Sequence, residues 1–150
     1  MTEAQALAEA CAAAMWAEDR ASAGLGMRIA RVAPGEAELT MDVEPRMVNG
    51  HGVCHGGFIF ALADSAFAFA CNSFNRRAVA HSNTITFLRP ARLGQRLTAR
   101  AVRAAEAGRS GVYDVMVLDG EGEAVAAFRG LSRVIEGHLV PPPAGEETQP

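Results

Sequence analysis

The sequence contains 150 residues, of which 49% are hydrophobic and 21% are charged, and its formal net charge is −3. This length and composition indicate one soluble domain that is large enough to bury a core of its own. The weak negative charge gives no electrostatic reason to expect a nucleic-acid partner, and no uninterrupted apolar run predicts a membrane span.

The chain begins with a segment that predicts a helix with an apolar stripe. Residues 2–21 are rich in Ala, Glu and Leu, and Leu7, Cys11 and Met15 follow one another at intervals of four. The segment has acidic residues but no basic region of the kind that begins a signal peptide. The three cysteines are too few and too irregularly spaced for a disulfide framework. We therefore expect a reduced, cytoplasmic protein.

A hairpin and an irregular loop are predicted before a second helix. Residues 27–33 and 36–43 alternate between apolar and polar side chains on either side of a Pro-Gly pair, which is typical of a β-hairpin. Residues 44–54 have no regular pattern. The nearly charge-free run that comes next, FIFALADSAFAFACN, predicts a helix of about 16 residues near 57–72.

Four further strands are predicted after this helix. They lie at 78–88, 95–106, 111–118 and 123–134, with turn-forming residues between them. The end of the chain, residues 137–150, is Pro-rich and polar, and we predict that it is a flexible tail.

The order of these elements predicts an α+β fold. A helix that is apolar on nearly every side must be covered on nearly every side. A strongly curved antiparallel sheet wrapped around the helix provides that cover. We therefore predict a single domain over residues 1–150, with an N-terminal helix at 1–22 and the tail at the other end.

One stretch carries the clearest indication of function. Residues 49–57 read NGHGVCHGG, Asp64 lies seven residues later, and the strand HSNTITFLRPAR follows the helix. Over about residues 25–135 the chain resembles the hotdog-fold acyl-CoA thioesterases, and within them the phenylacetate-degradation (PaaI-type) branch. The resemblance implies hydrolysis of acyl-CoA thioesters, of the aryl type such as (hydroxy)phenylacetyl-CoA, in phenylacetate catabolism. It also implies that no metal or other cofactor takes part and that the enzyme is a homodimer or a dimer of dimers, a homotetramer.

Gly56 and Asp64 are the main candidates for catalysis. Gly56 and Gly57 lie where the helix starts, so their amides lack intrahelical partners and the helix dipole favours an oxyanion there. The resemblance assigns the oxyanion-binding amide to Gly56. Asp64 is the only charged residue between His55 and Arg76. The resemblance implies that it acts as a general base on water or as a nucleophile, and we favour the base.

The spacing of these two residues predicts a site shared between two chains. Eight residues of helix span roughly 12 Å, whereas one thioester carbonyl must lie within about 3 Å of both catalytic groups. We therefore expect Gly56 of one chain to act with Asp64 of another across a two-fold interface.

The resemblance implies further site residues. Asn49 and His55 match positions beside the oxyanion-binding amide, and Ser82 matches a hydroxyl that helps to hold the attacking water. Each also has a structural explanation, as a turn former, a loop histidine or a strand serine. The substrate and CoA contacts are assigned to Gly57, Phe58, Asn83, Thr84, Arg89 and Arg92, with Arg76 and Arg77 as alternative partners of the CoA phosphates.

Other chemistries find less support. His51, Cys54 and His55 supply at most three metal ligands with no second cluster, and Cys54 lacks a third group to orient it as a nucleophile. Two other functions remain open: an enoyl-CoA hydratase or dehydratase of the hotdog fold that uses His55, and a non-catalytic acyl-CoA-binding protein. The order of the helix acid and the HGG motif matches the thioesterase better, and no DNA-binding element is visible for a regulator.

Overall fold

The computed structural model describes residues 1–142. Its helices are α1 (Glu3–Glu18), α2 (Arg20–Gly24) and α3 (Gly56–Cys71), and its strands are β1 (Arg28–Ala33), β2 (Glu36–Asp42), β3 (Ala78–Phe87), β4 (Arg96–Ala107), β5 (Ser110–Leu118) and β6 (Ala124–Val134). A short 3-10 helix, Pro45–Met47, lies in the loop before α3.

The six strands form one antiparallel sheet in the order β1-β2-β4-β5-β6-β3, and α3 packs against it. This confirms the predicted α+β fold and the predicted order of helix, hairpin, helix and four strands. The N-terminal segment differs in one respect, because it divides into α1 and α2 at Asp19. There the Asp19 carboxylate accepts a hydrogen bond of 2.9 Å from Ser22 N–H and caps the second helix.

The sheet approaches α3 closely because small residues face the helix. Gly130 in β6 leaves room for the Phe67 ring, since a Cβ at Gly130 would lie 2.8 Å from that ring. The same ring packs between Tyr113 and Phe128, with ring centroids 5.6 and 5.9 Å away. Leu62 is fully buried on the same helix. The helix is therefore the centre of the core, as its apolar sequence predicts.

The two edge strands of the sheet differ in how far they are covered by other parts of the chain. At β1, α1 packs on the strand and the Gln5 side chain donates a hydrogen bond of 2.7 Å to the Val32 carbonyl. At the opposite edge, β3 pairs only with β6 among residues 1–142, and most of its 10 residues are exposed. Such an edge is a ready template for pairing with another chain.

The C-terminal strap, residues 135–140, returns across the end of α3. Ile135 N–H donates to the Arg77 carbonyl at 2.7 Å, and Asn75 binds the backbone of Leu139 and Val140. The predicted tail thus begins with residues that are hydrogen-bonded to the domain. Its last part, residues 143–150, lies outside the described residues, and its flexibility stays a prediction. Among residues 1–142, none of the helices combines the length and the apolar character of a membrane-spanning segment.

Candidate active site

The start of α3 is held in place by His55. This residue is the N-cap, and its Nδ1 accepts a hydrogen bond of 2.9 Å from Gly57 N–H. Its own N–H donates to the Met47 carbonyl at 2.7 Å. Because Nδ1 accepts, a neutral His55 ring carries its proton on Nε2. His55 therefore holds the loop and the helix start together, which is the structural role considered for it from the sequence.

Gly56, the first residue of α3, presents an unused amide. The next two amides have partners, because Gly57 N–H donates to His55 Nδ1 and Phe58 N–H to the His55 carbonyl. None of residues 1–142 accepts a hydrogen bond from Gly56 N–H. This donor lies at the positive end of the helix dipole, where an anion is favoured. Gly57 is also predicted as a substrate contact, but its amide donates to the N-cap residue His55.

The space beside Gly56 is occupied by the ring of Phe87. A Cβ at Gly56 would lie 2.8 Å from Cζ of Phe87, at the end of β3. A cleft of about 450 Å³ opens here. Residues from the loop before α3, from α3 and from the end of β3 and the chain after it line the cleft. A larger residue would have to displace the Phe87 ring and would narrow this cleft. We call it the Gly56 cleft.

Asp64 lies on the same helix, more than two turns after Gly56, and is half-buried. The Asn83 side-chain amide donates a hydrogen bond of 3.0 Å to Asp64 Oδ1. No donor among residues 1–142 is bound to Asp64 Oδ2. Burial raises the pKa of the Asp64 carboxyl, and the hydrogen bond from Asn83 opposes part of this rise.

A second cleft, of about 350 Å³, opens beside Asp64, and we call it the Asp64 cleft. Its walls come from α1, α3, the start of β3 and the C-terminal strap. It shares no lining residue with the Gly56 cleft, which meets the opposite end of β3. One chain therefore does not bring Gly56 and Asp64 together around a single carbonyl.

Asn49 and Ser82 are not joined to Asp64 within the chain. Asn49 Oδ1 accepts hydrogen bonds from His51 N–H at 2.9 Å and Val53 N–H at 3.4 Å, so it stabilises the turn. Ser82 and Thr84 are exposed, and strand alternation directs them to the face opposite Asn83. The β3 residues that do line the Asp64 cleft are Ala78, Val79 and Ala80. The prediction that Ser82 holds a water at Asp64 therefore finds no support within one chain.

Some of the other predicted substrate residues line one of the two clefts, and others line neither. Arg89 lines the Gly56 cleft, but it forms an ion pair of 3.3 Å with Glu123 and donates to the Ala124 carbonyl. Arg77 lines the Asp64 cleft. Arg92 is exposed, and no salt bridge joins it to the rest of residues 1–142. Phe58 packs edge-on against His55, with ring centroids 6.2 Å apart, and lines neither cleft.

The cysteine and histidine cluster does not form a reactive group. Cys54 is buried, and burial raises the pKa of its thiol, which disfavours the nucleophilic thiolate. Within residues 1–142, no three His, Cys, Asp or Glu side chains gather as metal ligands would. The remaining candidates for chemistry are the Gly56 amide and the Asp64 carboxylate.

Two features of the site were missed from the sequence. Asn83, predicted as a substrate contact, is the hydrogen-bond partner of Asp64. Met15, Ile135 and Leu139 line the Asp64 cleft, although they come from the two ends of the described chain. The apolar stripe of α1, which contains Met15, was the only signal for the second feature.

A protein-family model and several known proteins are similar to this chain. A family model described as the thioesterase superfamily matches residues 51–126. The acyl-coenzyme A thioesterase PaaI of Escherichia coli K12 is 45% identical over 126 residues, which cover 84% of this chain and 90% of that protein. The solved structure of the E. coli PaaI protein from the phenylacetic acid degradation operon has a TM-score of 0.88 at 43% identity and covers 89% of this chain and 97% of that chain. A mutant phenylacetic acid degradation protein PaaI from Thermus thermophilus has a TM-score of 0.75 at 40% identity, with 78% of this chain and 100% of that chain covered.

Proposed function

The chain belongs to the thioesterase superfamily, has its hotdog fold and is a thioester hydrolase, and we propose that it cleaves acyl-CoA thioesters to the free acid and CoA. We further propose that the acyl group is of the aryl type, such as phenylacetyl, and that the reaction belongs to phenylacetate catabolism. The names of the E. coli and Thermus relatives support this finer assignment. No metal or further cofactor is needed for the reaction described next.

In the proposed reaction Asp64 acts as the general base. The ionised carboxylate takes a proton from a water molecule through Oδ2, while the water oxygen bonds to the thioester carbonyl carbon. The Gly56 N–H donates to the oxyanion that develops on the carbonyl oxygen. When this intermediate collapses, the carbon–sulfur bond breaks and the CoA sulfur leaves with the proton that Asp64 holds. The observation that carries this assignment is the unused Gly56 amide at the start of the helix that also contains Asp64.

A homodimer formed along β3 supplies the geometry that one chain lacks. The β3 edge is mostly exposed along its 10 residues, whereas the β1 edge is covered by α1. A two-fold axis that joins the strand to itself makes the pair antiparallel and gives both chains the same contacts. Full overlap then sets Ala78 opposite the partner's Phe87.

This pairing merges the two kinds of cleft. The start of β3, at Ala78, lines the Asp64 cleft, and the end of β3, at Phe87, touches Gly56 and lines its cleft. Antiparallel overlap of β3 thus brings the partner's Gly56 toward Asp64. The dimer has two such sites, each with an amide from one chain and a carboxylate from the other. Association of two dimers into a homotetramer is a further proposal that rests on the resemblance.

A cytoplasmic location fits this function, since the three cysteines are free and buried rather than paired in disulfides. Their burial also helps the assay, because a thiol reagent in solution then reports released CoA and not protein thiols.

The experiment uses purified protein, phenylacetyl-CoA and a chromogenic thiol reagent. We expect free CoA to appear with the wild-type chain and to fall by about 10²–10⁴-fold with Asp64→Asn, which removes the base. Asp114→Asn is the matched control, since it changes an exposed aspartate that pairs with Arg129. Binding of phenylacetyl-CoA without release of CoA would instead indicate a binding protein. Hydration of an enoyl-CoA, detected as a loss of the absorbance of its double bond, would indicate a hydratase. The candidate base of that reaction is His55, whose Nδ1 already accepts a hydrogen bond from Gly57 N–H.

A further inference from the structure

The residues that line the Asp64 cleft have two origins in the chain. One part of the lining comes from α3 and from the start of β3, both inside the segment that matches the thioesterase superfamily, residues 51–126. The other part consists of Met15 from α1 and of Ile135 and Leu139 from the C-terminal strap, and together these three form one wall of the cleft. These three residues lie outside that segment. The part of the lining that lies outside the matched segment is therefore built by α1 and the C-terminal strap.

The strap is anchored to the turn after α3 by one buried residue, Asn75. Its Oδ1 accepts hydrogen bonds from Leu139 N–H at 2.9 Å and from Val140 N–H at 3.0 Å. Its Nδ2 donates to the Val140 carbonyl at 3.0 Å. Asn75 has a positive φ of 57°, a conformation that asparagine tolerates better than most residues. Three hydrogen bonds from one side chain thus hold the strap, which indicates an ordered wall.

We propose that Met15, Ile135 and Leu139 close the end of the acyl-binding pocket, so that α1 and the strap select the acyl group. This inference rests on the proposed function, because Asp64, which lines the cleft, is the proposed base at the thioester carbonyl. The acyl group points from that carbonyl toward Leu139, and Asn75 is a positioning residue that holds this wall. Among the lining residues Arg77 and Asp64 are the charged ones, and the others around the acyl group are mainly apolar.

The size of the cleft limits the acyl group. Its volume of about 350 Å³ is roughly twice the ~150 Å³ of an apolar cavity that holds benzene. One aromatic ring with a short linker fits this space, and so does a medium-length alkyl chain. A long-chain acyl group exceeds the volume of this cleft. The class of substrate is therefore a compact aryl-acyl or medium-chain CoA thioester, and long-chain acyl-CoA is a poor substrate.

The first test compares kcat/KM for acetyl-, phenylacetyl- and dodecanoyl-CoA. Leu139→Trp fills the end of the pocket, and we expect it to lower the phenylacetyl-to-acetyl ratio by about tenfold, the scale on which an apolar pocket discriminates size. Leu139→Ala opens the end and raises the dodecanoyl-to-acetyl ratio. Val140→Trp and Val140→Ala are the matched controls, because Val140 is the next residue of the strap but does not line the cleft. They leave both ratios unchanged.

The second test separates the wall from general damage to the fold. Asn75→Gly keeps the backbone conformation but removes the three side-chain hydrogen bonds that hold the strap. We therefore expect KM for phenylacetyl-CoA to rise while kcat for acetyl-CoA is unchanged. Asn75→Asp retains an acceptor for Leu139 and Val140 N–H and restores part of the loss. Circular dichroism establishes that each variant is folded.

Equal changes for all three substrates in the Leu139 variants would overturn the proposed wall. A failure of the proposed function would be distinct, since wild-type protein would then release CoA from none of the three thioesters.

Discussion

Asn83 in β3 donates a hydrogen bond of 3.0 Å to Asp64 Oδ1 and leaves Oδ2 without a donor from residues 1–142. The two oxygens of one carboxylate therefore have different tasks. Oδ1 is fixed by the strand and sets the orientation of the group, while Oδ2 is available to a water. Because the bond favours the ionised form, it also opposes the effect of burial on the Asp64 pKa.

Asn83→Ala should move the pH dependence of the reaction. Burial alone then acts on the Asp64 pKa, which rises further, and a larger part of the enzyme holds a protonated, inactive base at acid pH. The acid limb of kcat/KM against pH, which reports the free enzyme, is expected to shift to higher pH. Thr86→Ala, on the same strand, is the control. An acid limb that does not move in Asn83→Ala would show that another group controls it.

Asp64→Asn should stabilise the folded chain while it removes activity. The Asp64 pKa in the folded state lies above its ordinary value of 3.8, so the ionised group disfavours folding at neutral pH. In the wild-type chain, a protonated Asp64 contributes to the free energy of unfolding. This contribution is fully present below the unfolded-state pKa of Asp64 and is lost as pH rises through its folded-state pKa. We expect Asp64→Asn to have the higher urea midpoint at about pH 7 and the advantage to shrink toward about pH 4. A lower midpoint than wild type at neutral pH would contradict the raised pKa.

Substitutions at His55 separate its capping role from chemistry. His55→Ala removes the acceptor for Gly57 N–H and should cost about 1 kcal/mol of unfolding free energy. His55→Ser keeps a cap, so the free energy of unfolding returns and kcat stays within a few-fold of wild type if capping is the main role. His55→Asp also caps, but its charge lies beside the proposed oxyanion and lowers kcat. A loss of activity in His55→Ser as large as in His55→Asp would assign the ring a direct part in the reaction.

Proline at position 56 tests the amide itself. Proline is well suited to the first residue of a helix and lacks the N–H, and His55 already has the extended backbone that precedes a proline. Because any Cβ would meet the Phe87 ring, both variants carry Phe87→Ala. Gly56→Pro/Phe87→Ala is expected to lose about 10²–10³-fold in kcat relative to Gly56→Ala/Phe87→Ala, which keeps the donor. Equal kcat in the two double variants would exclude the Gly56 amide as the oxyanion donor.

The elements of the fold were accessible from the sequence because each has a clear period. The alternation of β1 and β2 around a Pro-Gly pair and the apolar run of α3 predict the observed boundaries to within a residue or two. Asp64 was also accessible, since a lone carboxylate in an apolar helix costs free energy unless it has a partner or a function.

The surroundings of Asp64 were less accessible, for physical reasons. Strand periodicity separates Asn83 from Ser82 by face, but it does not tell which face meets α3. Residues 137–140 of the strap were predicted to belong to a flexible tail, because the Pro-rich, polar composition of residues 137–150 usually indicates one. The order of the strap depends on Asn75, which is 64 residues before Leu139 in the chain. Contacts of such long range leave no periodic signal.

The central claim is that each active site takes its amide from one chain and its carboxylate from the other. The direct measurement refolds Asp64→Ala and Gly56→Pro/Phe87→Ala chains together in equal amounts, confirms heterodimers with two affinity tags, and assays phenylacetyl-CoA hydrolysis. Random pairing gives one-half heterodimers with one intact site in two, so activity is expected to reach about a quarter of wild type. Activity no higher than the sum of the two inactive parents, in a mixture that contains heterodimers, would contradict the shared site.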